Sequence, residues 1–82
     1  MNMDYVNGIA RFSITTLLET GIALVDLAER TTNLHENEKI ARCAIGYLQA
    51  ATTLLAAHYT LHNELIDLPA FVRLRKFSRQ YQ

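Results

Sequence analysis

Eighty-two residues, 50% apolar and 20% charged, are enough for one small domain, because chains divide into further cores only at several times this length. Eight Lys plus Arg balance eight Asp plus Glu, which argues against a uniformly basic nucleic-acid binder and against an acidic disordered tail. One cysteine permits no intrachain disulfide, and no Cys/His spacing of the zinc-finger kind occurs, so helix packing or self-association has to supply the stability.

At the N-terminus, Met1-Asn2-Met3-Asp4 has neither the basic flank nor the apolar block of a secretory leader, so a cytoplasmic location is expected. Beyond it Ile14, Leu17, Leu18, Ile22, Leu24, Val25, Leu27 and Ala28 recur at three- and four-residue steps, the helical period. Thr15, Glu19, Asp26 and Arg30 form a narrow wet stripe. Asn7-Gly8 is a turn signal, so the predicted first helix covers residues 9–30, with Met1 to Val6 as a loose arm or a separate first turn.

Thr31-Thr32-Asn33-Leu34-His35 interrupts the pattern with side chains that compete for backbone hydrogen bonds, and Asn33 followed by Glu36 fits a helix cap. Glu36 and Glu38 then complement the positive end of a new helix. In it Ala44, Tyr47, Ala51, Leu54, His58, Leu61, Leu65 and Leu68 alternate four- and three-residue steps, near the 3.5 repeat of a left-handed seam, and predict a helix over 35–66. Cys43 to Asn63 is a run of 21 residues without Asp, Glu, Lys or Arg, long enough to cross a bilayer. Gln49, Thr52, Thr53, His58, Thr60, His62 and Asn63 would lose water there without assured partners, so a buried helix in a soluble bundle is expected instead.

Pro69 stops one helix or opens another, with Asp67 as candidate cap. Ala70, Leu74, Phe77 and Tyr81 follow at helical spacing, which predicts a short amphipathic helix over 69–80.

Both long helices carry apolar or alanine positions around more of their circumference than a single antiparallel neighbour covers. Ala50, Ala51, Ala56 and Ala57, with Ala44 and Gly46 nearby, would let helix axes approach closely. The expected fold is therefore all-α: an antiparallel two-helix hairpin plus a short C-terminal helix, one domain over 1–82, paired as a homodimeric four-helix bundle. The expected dimer seam is Ala44, Tyr47, Ala51, Leu54, His58, Leu61 and Leu65. The alternative is a monomer in which the C-terminal helix folds back over the hairpin.

Little here suggests chemistry. His58 and His62 stand four apart, a spacing that can place two imidazoles on one metal, but no third ligand completes a recognised set. His58 reads instead as a polar residue that fixes register in the seam. Cys43 shares a helix face with Ala50 and Ala57, and no positioned base or oxyanion site accompanies it. Neither an enzyme nor a cofactor is expected.

The tail is the asymmetric feature: Arg73, Arg75, Lys76 and Arg79 give it +4, so residues 1–68 carry the balancing −4. With Phe71, Leu74, Phe77 and Tyr81 these cations form the candidate partner-binding site. The expected partner, besides a second copy of the chain, is another protein, since aromatic and Arg side chains dominate such contacts. A nucleic acid or an anionic membrane is the alternative partner. The expected function is a small non-enzymatic regulator or adaptor of the inhibitor or antiactivator type; the alternatives are a nucleic-acid-binding regulator and a structural assembly subunit.

Overall fold

The computed structural model describes residues 2–81 as α1 (Met3–Arg30), α2 (Leu34–Ala57), a 3-10 turn at Tyr59–Leu61, a short α3 (His62–Leu65) and α4 (Pro69–Gln80). Among the described residues no strand occurs, and α1 and α2 form a long antiparallel hairpin.

α1 begins at Met3, six residues before the expected start at residue 9. The side-chain oxygen of Asn2 accepts a hydrogen bond from the Asp4 N–H at 2.8 Å, and Asp4 adds negative charge to the first turn. Asn7 and Gly8 therefore lie inside the helix with ordinary backbone angles, not in a turn. A glycine there costs about 1 kcal/mol relative to alanine. The cap and the burial of Ala10 two residues later offset it.

Three residues connect α1 to α2. The Asn33 side chain accepts from the Glu36 N–H at 3.0 Å, and Asn37 reaches back to donate to the Ala28 carbonyl, so the turn is tied at both helix ends. Ile14, Leu18 and Val25 pack against Ala41, Ala44, Leu48, Ala51 and Leu55. The alanines on α2 bring the two axes close.

The second helix ends at Ala57, short of the expected 66. His58 leaves the helical region (φ −124°, ψ 63°), and its N–H closes the last turn on the carbonyls of Leu54 and Leu55. Val6, Ala10 and Ser13 of α1 lie beside Leu54 and His58 at this point, and α1 continues beyond them to Met3. The break turns the chain back, and Leu61 and Leu65 are only 3% exposed.

α4 opens with Pro69 in its first turn, where the missing N–H costs nothing. Asp67 does not cap it: Leu68 occupies that position and no side-chain bond is made. The helix folds back across the hairpin and buries Phe71, Leu74 and Phe77. At Gly21 the approach is close, for a β-carbon there would stand 3.0 Å from Leu74 Cδ1 and 3.4 Å from Tyr47 Cβ.

The expected dimer seam is thus part of the chain's own core. Ala44, Ala51, Leu61 and Leu65 are buried within one copy, and Tyr47, Leu54 and His58 are half-buried. Period and spacing marked these positions as packed, but α1 of the same chain covers most of them.

Candidate interaction surfaces

α4 is locked against one flank of the hairpin. Arg73 Nη2 donates to Asp26 and, at 2.9 Å, to Glu29; these carboxylates keep the guanidinium protonated to still higher pH, with the hydrogen bond to Asp26 the largest cause. Arg75 donates to the Ile66 carbonyl at 3.0 Å and lies 5.4 Å from the centre of the Phe71 ring. The Tyr81 hydroxyl donates to Asn37 at 3.0 Å, and its ring packs on Phe77. At the opposite end Arg11 grips Glu64 through Nε and Nη2. The stripe expected to be wet, Thr15, Glu19 and Asp26, is the flank on which α4 sits: Thr15 and Glu19 line a cleft with Leu68, Pro69 and Ala70.

Of the expected partner-binding residues, Phe71, Leu74 and Phe77 are therefore in the core and unavailable to a partner. Arg73 and Arg75 are engaged within the chain. Lys76 and Arg79 remain outward, and Tyr81 is 43% exposed.

The other flank carries no helix. From α1 it presents Ser13, Leu17 and Leu24, and from α2 Cys43, Gly46, Tyr47 and Ala50, with a groove of about 260 Å³ between them. At 100° per residue, Asp4, Arg11, Glu19, Asp26, Glu29 and Arg30 all lie roughly 120° or more from the line through Ser13, Leu17 and Leu24. On α2 no Asp, Glu, Lys or Arg occurs after Arg42. One flank of the hairpin is charged and covered; the other is open and, from Cys43 onward on α2, uncharged, with Lys39 in line at its loop end.

A third feature is the outer edge of α1, where Tyr5, Ile9 and Phe12 are 66%, 51% and 72% exposed on successive turns. Tyr59, 80% exposed, stands at the same end of the molecule beside Met3. α1 and α2 are both long and apolar enough to cross a membrane, and only 28% of the most apolar stretch of each is buried.

No protein-family model matches the chain, and no match is found among curated proteins or solved structures. Function is then a question for the surfaces themselves.

Chemistry is not brought together. His58 lies at the break and His62 beyond it, so they no longer share one continuous helix, and no group of three or more His, Cys, Asp or Glu able to hold a metal occurs among the described residues. Cys43 is exposed on the open flank, away from both histidines in sequence and element. The concavities along the hairpin measure about 150 to 260 Å³ and are shallow, below the size that encloses a typical small ligand. The exposed aromatic edge was missed in the sequence because Met1 to Val6 reads as a loose arm. The signal available was Asn2 with Asp4, a cap placed directly before an apolar run.

Proposed function

We propose that this chain is a small, cytoplasmic, non-enzymatic regulator or adaptor that acts by binding another protein through the outer edge of α1. The observation that carries this is the exposure of Tyr5, Ile9 and Phe12 on successive turns of one helix. Large apolar side chains held in water gain nothing from folding, and aromatic anchors with an apolar neighbour are the usual centre of a protein interface. A regular helix also presents them at low entropic cost, because the backbone is ordered before binding. The tail contributes to this function by holding the hairpin in shape, not by reaching for the partner, since both of its phenylalanine rings are packed inside.

An aqueous location fits the charged flank: a bilayer around α1 would have to desolvate Arg11, Glu19 and Asp26 together with Arg73. Nucleic acid is less well served, because Phe71 and Phe77 cannot stack on bases and Arg73 is neutralised by two carboxylates.

The test is affinity capture with the full chain and two double variants. Tyr5→Ala/Phe12→Ala should abolish recovery of the partner protein, whereas Lys76→Ala/Arg79→Ala should leave it unchanged at raised salt. Recovery of nucleic acid in place of protein, or loss only with the charge variant, would overturn the proposal. The substituted residues are exposed, so each change is expected to alter stability by no more than about 0.5 kcal/mol.

A further inference from the structure

The open flank differs from the aromatic edge in position and in shape. Its α1 side is a ridge made by Leu17 and Leu24, both half-buried. Its α2 side is a trough, because Cys43, Gly46 and Ala50 are small and exposed, and an added β-carbon at Gly46 would meet nothing within 4 Å. Ridge and trough run side by side on two antiparallel helices. A two-fold axis laid along such a hairpin places the α1 of each copy over the α2 of the other, with every neighbouring pair of helices antiparallel, the arrangement of a four-helix bundle.

Size and charge point to the same occupant. The molecule measures 48 × 18 × 17 Å, so a flank along its length offers on the order of 800 Å² per chain, the contribution of each partner to a standard stable interface. Charge on the flank is confined to Glu36 and Lys39 at the loop end of α2; from Cys43 onward it carries none, so over that stretch two copies meet without placing like charges together. A lipid surface fits less well. The small-residue trough has little to insert among acyl chains, and the cations Lys76 and Arg79 stand on α4, on the far side of the hairpin, where they would point away from anionic headgroups.

We infer that the open flank of the α1–α2 hairpin is a self-association face, which pairs with a second copy of the chain to bury Leu17, Leu24, Cys43, Gly46 and Ala50 in a four-helix core while α4 stays outside. The seam lies about a quarter turn around α2 from the one its heptad spacing suggests. The inference stands apart from the aromatic edge, since it uses other residues of α1.

Cys43 makes the face its own reporter. Sedimentation equilibrium of the full chain should give twice the 9.3 kDa chain mass at high concentration, and the rate of Cys43 alkylation should fall about tenfold once nine chains in ten are paired. Ala50→Glu, at an exposed position within the face, should return the mass to that of one chain and restore fast alkylation, with unchanged helical circular dichroism. Ala56→Glu is also at an exposed position but about 120° away around α2, and should remain paired. A single-chain mass at every concentration, pairing that survives Ala50→Glu, or a chain recovered only on lipid vesicles would each overturn the inference. Partner capture by the single-chain Ala50→Glu variant would show that the aromatic edge works independently, so the two ideas fail separately.

Discussion

Arg11 and Glu64 sit 53 positions apart, yet their two-point contact fixes where the segment after His58 lies against α1. The guanidinium holds the Glu64 carboxyl below the usual carboxylate range, mainly by hydrogen bonding. A carboxyl whose pKa falls on folding adds stability above its unfolded value, and that contribution is lost as pH drops through the folded value. An NMR titration should therefore show Glu64 ionising at lower pH than a free glutamate side chain. Arg11→Gln should move it upward, and an unmoved titration would contradict the pairing. Gly21 is the second decisive residue. Its missing β-carbon lets Leu74 and Tyr47 close in, so Gly21→Val should overpack the junction and lower stability by about 2 kcal/mol. Gly8 has open space around it, and Gly8→Ala should raise stability by about 0.5–1 kcal/mol. Urea unfolding of the two variants checks both signs.

The starts of α2 and α4, which depend on local chemistry, were legible in the sequence; the start of α1 was hidden behind Asn7-Gly8 despite its local cap, and the break after α2 was not legible at all. Asn33 with Glu36 marks the start of α2, and Pro69 marks the start of α4, because a cap and a missing N–H act within one turn. The break at His58 has no glycine or proline to announce it; it brings Leu61 and Leu65 into the core shared with distant residues, which local spacing does not show. α4 illustrates both halves of the lesson. Its stripe of Leu74, Phe77 and Tyr81 was readable from spacing, but what covers the stripe was not, because a partner protein and the chain's own hairpin ask for the same amphipathic pattern. Since the hairpin covers it, Leu74→Ala should cost about 2–5 kcal/mol in denaturant unfolding of the full chain, while Lys76→Ala on the outer face should stay within about 0.5 kcal/mol. Equal effects at the two positions would mean that α4 is not docked.

Across the whole molecule, charge and cover go together. Asp26 and Glu29 of α1 face α4 and pair with Arg73, while the open flank and the aromatic edge are left for other molecules. The candidate site was only partly legible for this reason: apolar excess around the long helices is visible in the sequence, but which part of it remains open depends on which flank α4 takes. Docking of α4 on its own hairpin is thus the premise for every surface assigned above. Its most direct test is a methyl-resolved NMR measurement on the full chain, looking for magnetisation transfer between the Leu74 methyl groups and the α-protons of Gly21. The account predicts a strong contact whose intensity per chain does not change on dilution, because it forms within one copy. Absence of that contact, or its disappearance on dilution, would contradict it.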